Sequence, residues 1–248
     1  MDNALYVGLS RQMTVRRELD IVANNIANAN TTGFKVEDLM VRTEQAKPAK
    51  TLDGSSPVKF VMDTGVRRNF TQGPMTKTGG DYDLAINGMG FFKVQANGGE
   101  RYTRDGRFTT NPEGILVTQA GAPVLDDGGG QITIDPRLGP VTVGKDGIVS
   151  QGAIRVSRIG LVRPDDLSTF AKDGDNLYRN TTNTAPQPVT DAQIHQGMLE
   201  ASNVQPVIEI TKLIEIQRAY ESVAKMMDNT AELSRTPSSV WARSTRER

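Results

Sequence analysis

Apolar residues keep helical spacing mainly at the two ends of this chain. Near the start, Leu5, Leu9, Met13, Val15, Leu19, Val22 and Ile26 recur at helical intervals, and Val15, Leu19, Val22 and Ile26 are spaced four, three, four. That is one face of a helix or a coiled-coil seam. Asp2 and Asn3 are both suitable N-caps, and the pattern breaks at Asn30-Thr31-Thr32-Gly33-Phe34. A helix from Asn3 to Ala29 would be about 40 Å long. Toward the other end, Ile210, Leu213, Gln217, Tyr220, Ala224, Met227, Ala231 and Ser234 follow a three-four rhythm. Pro206 suits a first helical turn with Ser202 or Asn203 near the cap, and Pro237 closes the segment. Ile208, Ile214, Ile216 and Val223 widen the stripe beyond a two-stranded seam. The rhythm predicts coiled-coil-like packing, although an amphipathic helix laid on the middle of the chain has the same spacing.

The pattern changes between these ends. Turn dipeptides recur at Asn87-Gly88, Asn97-Gly98, Asp105-Gly106, Asp127-Gly128, Asp146-Gly147 and Asp173-Gly174. Between them lie short runs of β character: 82–87, 90–95, 107–110, 115–118, 131–134, 141–143, 148–150 and 154–161. Asn-Gly and Asp-Gly between such runs are hairpin signals, and the even spacing predicts an antiparallel β domain, sandwich or barrel. The fold class is therefore α+β: terminal helices forming a coiled-coil-like assembly domain around a central antiparallel β domain. The expected divisions are an N-terminal helix over 1–35, an extended β and loop connector over 36–75 and the β domain over 76–180. A linker over 181–198, a C-terminal helix over 199–236 and a polar tail over 237–248 follow. Within the connector, Lys47 to Pro57 reads as an exposed loop; in the tail, Trp241 is a candidate docking residue.

The end of the first helix is unusual. Ala23 to Asn30 holds Asn24, Asn25, Asn28 and Asn30, although asparagine is a poor interior helix former. Asn24 and Asn28 share a face. They are either a fraying helix end or amides that bond across to neighbouring helices and fix register. With Leu19, Val22 and Ile26, and with Ile210, Leu213, Gln217, Tyr220 and Met227, they make up the expected assembly interface.

Composition sharpens this picture. Apolar residues make up 37% and aromatics 5%, below the roughly 45–50% apolar content of ordinary soluble domains. A core this lean suits an elongated subunit or apolar surface buried on oligomerisation. Lys and Arg number 29, as do Asp and Glu, so there is no net charge to suggest nucleic acid. There is no cysteine, which excludes disulfides and thiolate metal sites. The start lacks a basic region and a long apolar run, so no cleaved secretory signal is expected. No window approaches the roughly 18 apolar residues of a transmembrane helix.

Catalytic chemistry is thin. His195 is the sole histidine and lies in a polar stretch, which leaves no histidine triad or His-rich metal site. Asp81, Asp83, Asp126 and Asp127 lack the alternating ligands of an EF-hand and read as turn acids. Gly88-Met89-Gly90 opens a β run, not a helix, so it is no dinucleotide fingerprint. No cofactor, metal or catalytic residue is assigned. A β-rich polysaccharide-processing enzyme, working through an acid pair, is the alternative from another class.

The run Ala23-Asn24-Asn25-Ile26-Ala27-Asn28-Ala29-Asn30-Thr31-Thr32-Gly33-Phe34-Lys35 resembles the N-terminal signature of bacterial flagellar rod and hook proteins. Leu199-Glu200-Ala201-Ser202-Asn203-Val204, with Gln217-Arg218-Ala219-Tyr220-Glu221, is similar to the C-terminal signature of that family. Asp83 to Phe92 and Arg101 to Phe108 look like its β-domain motifs, so the resemblance spans nearly the whole chain. Length and the large β domain point to the rod members. The opening from Met1 to Met13 resembles the proximal-rod kind, with the distal-rod kind as the alternative. The resemblance implies a non-enzymatic structural subunit of the periplasm-spanning rod. It would leave the cell through the flagellar export apparatus and assemble helically with its own copies and with other rod subunits through its terminal helices.

Overall fold

The computed structural model describes residues 2–45, 59–96, 98–182, 184–189 and 191–235. The loop expected at Lys47 to Pro57 and the tail with Pro237 and Trp241 lie outside the described residues.

The first helix, α1, spans Asp2–Ala27. Asn28, Ala29 and Asn30 continue as a turn, with Thr31 N–H donating to the Asn28 carbonyl at 3.1 Å. Gly33 then takes φ 67°, and a β-carbon there would lie 2.4 Å from the Arg104 carbonyl carbon, so the signature needs glycine at this bend. The second helix, α2, spans Pro206–Arg235. It starts later than the expected boundary because Met198–Glu200 forms a strand paired with Met75–Lys77. Pro206 opens it, as expected of a proline whose missing N–H is not needed there.

The chain divides into two compact units. One holds the described residues within Met1–Ala27, Glu37–Arg67 and Gln205–Arg248, and the other holds Asn28–Val36 and Arg68–Val204. The first consists of α1, α2 and a two-stranded sheet of β1, Glu37–Gln45, and β2, Lys59–Arg68.

The second is the β unit. Its six-stranded sheet runs, in spatial order, Phe170–Lys172, Leu177–Asn180, Gly99–Thr103, Phe91–Ala96, Leu161–Arg163 and Gln187–Pro188, each neighbouring pair antiparallel. A three-stranded sheet orders Ile154–Arg158, Ile148–Gln151 and Val141–Val143. Phe91–Ala96 alternates between two cores. Phe92 and Val94 enter a large aliphatic cluster with Leu84, Ile86, Val124, Ile132 and Ile159. Phe91 enters an aromatic cluster with Phe70, Tyr102, Phe170 and Tyr178. Its rings meet edge-to-face or stacked, Tyr102 on Phe170 at 4.8 Å.

The run expected over 154–161 is two strands. Gly160 sits where a β-carbon would lie 2.6 Å from the Asp126 carbonyl oxygen, and its N–H donates to Leu125. The chain leaves the smaller sheet at Arg158 and joins the larger at Leu161. The stretch expected as a linker over 181–198 carries strands Gln187–Pro188 and Gln193–Gln196. Gln193–Gln196 pairs with Leu84–Asn87, so half-buried His195 lies opposite Ala85. Period-two burial of Ala192 and Ile194 is too short a pattern to announce a strand by itself.

Candidate assembly surface

In the helical unit, α1 and α2 pack against each other along a narrow seam. Val15, Val22 and Ile216 are buried there, with Leu19, Ile26, Leu213, Ala219 and Tyr220 partly buried around them. Gly8 lets the helices close: a β-carbon on it would lie 2.9 Å from Met227 Cγ. The α1 face expected from the sequence, Val15, Leu19, Val22 and Ile26, is the one that meets α2. On α2 the expected rhythm straddles two faces. Leu213, Tyr220 and Met227 turn toward α1, whereas Ile210 and Gln217 are exposed.

Using the inner faces leaves apolar outer faces. On α1, Tyr6, Leu9 and Met13 form an exposed stripe at intervals of three and four, Tyr6 63% and Met13 65% exposed. The stripe runs on through Arg17, Asp20 and Asn24, which line a groove with Glu37 and Val66. On α2, Val207, Ile210 and Ile214 are exposed at the same spacing, Val207 at 77%. Met40, Val41 and Met62 on the β1–β2 sheet are exposed as well. Scattered exposed aliphatics are ordinary; here the exposed apolar residues fall in a stripe on each helix.

The polar residues of the two signatures sit elsewhere. Asn25 is fully buried. Its Oδ1 accepts from Glu37 N–H at 3.0 Å, and its Nδ2 donates to the Glu37 carbonyl at 2.8 Å and to Glu209 Oε2 at 2.9 Å. Buried Glu209 also accepts from Lys212 Nζ at 2.8 Å, which raises the Lys212 pKa above its ordinary value. Asn24 is exposed, and Asn28 Oδ1 accepts from Thr31 Oγ1 at 3.2 Å.

In the β unit, Glu200 is the hub. Its Oε1 accepts from Lys35 Nζ at 2.5 Å and from Gly73 N–H at 2.9 Å, and its Oε2 accepts from Arg104 Nη1 at 3.1 Å. Its carbonyl accepts from Gly33 N–H at 2.7 Å. Lys35, Arg104 and Glu200 are all buried. Desolvation pulls the pKa of Lys35 and of Arg104 below its ordinary value, against the opposing charge of Glu200. Further support comes from the carbonyls of Thr71, Ile86 and Gly88, and from the Phe91 ring, 5.4 Å below the guanidinium. Asn203 repeats the pattern: Oδ1 accepts from Val36 N–H, and Nδ2 donates to the carbonyls of Asn69 and Thr71.

Thus the N-terminal signature, the β-domain motif and the C-terminal signature meet through Lys35, Arg104 and Glu200. These residues are absent from the sequence-based interface, and only their place in three motifs could have drawn attention to them. Nothing in the pattern reports burial of a lysine between polar neighbours.

Of the acids that could have held a cation, Asp126 and Asp83 are engaged in turns and Asp127 pairs with Arg158 at 3.5 Å. Asp126 accepts from Gly130 N–H and Ser157 Oγ, and Asp83 accepts from Thr78 Oγ1. Among the described residues no group of three or more metal-ligating side chains occurs, and no helix is long and apolar enough to cross a membrane.

Three family models match this chain: "Flagella basal body rod protein" over residues 5–35, "Flagellar hook protein FlgE/F/G D1 domain" over 85–151 and "Flagellar basal body rod FlgEFG protein C-terminal" over 195–239. The chain belongs to the flagellar basal-body rod protein family, whose members are structural subunits and not enzymes. A relative from Caulobacter vibrioides named "Flagellar basal-body rod protein FlgF" is 98% identical, covering 95% of this chain and 96% of that protein. The FlgF of Mesorhizobium japonicum is 40% identical over 94% of this chain and 95% of its own length. The FlgG of Bacillus subtilis is 33% identical over 94% and 97%. Of the two rod kinds weighed from the sequence, the similarity favours the FlgF kind.

Proposed function

We propose that this chain is a proximal-rod subunit that assembles helically, with its own copies and with other rod subunits, through the outer faces of α1 and α2. The observation that carries the reading is the pair of exposed stripes, Tyr6, Leu9 and Met13 on one helix and Val207, Ile210 and Ile214 on the other. The inner faces already cover each other, so the outer ones require neighbouring subunits. Burying the exposed half of an isoleucine such as Ile210 favours association by about 1 kcal/mol, repeated at every subunit of a tube. Asn24, on the α1 stripe, is the amide placed to bond across to a neighbour. The subunit reaches the periplasm-spanning rod through the flagellar export apparatus, in keeping with a cysteine-free chain.

The test replaces Ile210 and Ile214 together with Asp in a strain whose own copy is deleted. Both side chains are solvent-facing, so the β unit remains folded and the protein is exported, yet basal-body preparations lack rods, and swimming is lost. Normal rods from the double variant would remove the α2 stripe from the assembly surface.

A further inference from the structure

The apolar seam between α1 and α2 does not set how far one helix slides along the other. Val15, Val22 and Ile216, with Leu19, Ile26, Leu213, Ala219 and Tyr220 around them, are apolar, and all but Tyr220 are aliphatic. Shifting α2 by one turn exchanges one apolar contact for the next, as in coiled coils whose register is left open by uniform seams.

One contact does not survive such a shift. Asn25 is held in place by both backbone groups of Glu37, so its amide cannot swing to follow a displaced partner. Its remaining amide hydrogen reaches Glu209 Oε2 at 2.9 Å. Four residues on either side of Glu209 stand Gln205 and Leu213. A shift that brings Leu213 opposite Asn25 leaves a buried donor unmet and takes Glu209 from its partner. A shift the other way brings Gln205, which precedes the helix, toward Asn25, takes the Glu209 carboxylate from that amide and takes Lys212 from Asp38, 3.6 Å away on β1.

We propose that Asn25 and Glu209 form a register lock within the subunit, a positioning contact that decides which outer residues of α1 and α2 stand side by side. The Asn25 amide reaches across from α1 to α2 at Glu209, while Asn24 lines the groove and Asn28 engages Thr31. The lock stands on its own geometry. Its consequence, a fixed spacing along the antiparallel helix pair between the Tyr6, Leu9 and Met13 stripe at one end and the Val207, Ile210 and Ile214 stripe at the other, rests on the rod reading above.

The chain has no cysteine, so engineered pairs report register directly. Gly8→Cys combined with Met227→Cys places the two residues within disulfide reach, since a β-carbon at position 8 lies 2.9 Å from Met227 Cγ. Gly8→Cys with Val223→Cys or with Ala231→Cys samples one turn either way. In purified protein held in a glutathione buffer, the monomeric cross-link at 227 should exceed those at 223 and 231 by about tenfold or more. Asn25→Leu and Glu209→Leu should each reduce that preference to within about threefold. Glu209→Gln, which keeps an acceptor for the amide, should retain it, and Asn24→Leu should leave it unchanged.

Preserved selectivity in Asn25→Leu or in Glu209→Leu overturns the lock. So does Glu209→Gln scrambling as far as Glu209→Leu, or a parent pair with no preference. Where Asn25→Leu does not fold, the two Glu209 variants carry the test. Because cross-linking is read on the isolated protein, intact register with no rod incorporation counts against the rod reading and not the lock. Scrambled register with normal rods overturns the link between register and the assembly face.

Discussion

The two compact units hold together by different means. The β unit buries a large aliphatic cluster and a separate aromatic one, with Phe92, Val94 and Phe170 fully out of solvent. The helical unit buries Val15, Val22 and Ile216 in its seam while leaving Tyr6, Met13 and Val207 more than half exposed. Stability follows buried apolar surface, so under the assembly proposed above the β unit is the finished one and the helical unit the unfinished one. The contrast also separates two uses of polar residues. Glu200 closes a buried charge cluster inside the finished unit; Asn25 and Glu209 specify a geometry inside the unfinished one.

The sharpest way to break the comparison is Glu200→Ala. It strands Lys35 and Arg104, both buried, and leaves Gly73 N–H without its acceptor. Removing one partner of a buried ion cluster costs about 3–5 kcal/mol, because the remaining charge is uncompensated. Urea unfolding followed by far-ultraviolet circular dichroism should show the β unit's midpoint falling accordingly, while Glu200→Gln falls less. An unchanged midpoint for Glu200→Ala would mean that the β unit does not depend on the cluster.

A smaller effect sharpens the contrast. In dilute protein, hydrogen exchange at Phe92 and Val94 should require global unfolding of their unit. Amides of 6–13 and 220–230 should open locally, at free energies lower by about 2 kcal/mol or more. Equal protection at the two sets in a monomer would show that the helical unit is already complete.

Legibility in the sequence tracks the same division. The terminal helices were readable because each presents several turns of periodic apolar residues; α1 ends within two residues of the expected point. The strands Phe91–Ala96 and Val141–Val143 are readable because each leads into a turn dipeptide, Asn97-Gly98 and Asp146-Gly147. Strands such as Gln193–Gln196 and Met198–Glu200 were not, since three or four residues with polar neighbours acquire strand character only from a distant partner. The α2 rhythm gave the helix but not which face met α1: Ile210 and Leu213 look alike in sequence, and only packing sends one outward and one inward. For the same reason Asn25 could not be told from Asn24.

The smallest effect lies in alkaline solution, at Tyr102. Its phenol is pushed up from 10.0 to about 12, first by burial, then by the charge of Glu100, whose Oε2 accepts its hydrogen bond at 3.3 Å; Arg101 opposes this. The folded protein therefore holds this proton more tightly than the unfolded chain. Stability from this group is complete below pH 10 and is lost as pH rises through about 12. Two full units would correspond to about 2.7 kcal/mol, but the hydroxyl faces a half-exposed carboxylate and solvent screening reduces this to about 1 kcal/mol. Lys35 runs the other way: its lowered pKa means that losing its proton on the alkaline side favours the folded state. The measurement must therefore be a difference between proteins. Tyr102→Phe keeps the stacking on Phe170 and removes the titrating group. Its stability relative to the parent should rise between pH 10 and 12 by about 1 kcal/mol, read from urea midpoints at several pH values. Parallel curves for the two proteins would show that the phenol titrates normally in the fold, and that the aromatic cluster of the β unit is less closed to water than its packing implies.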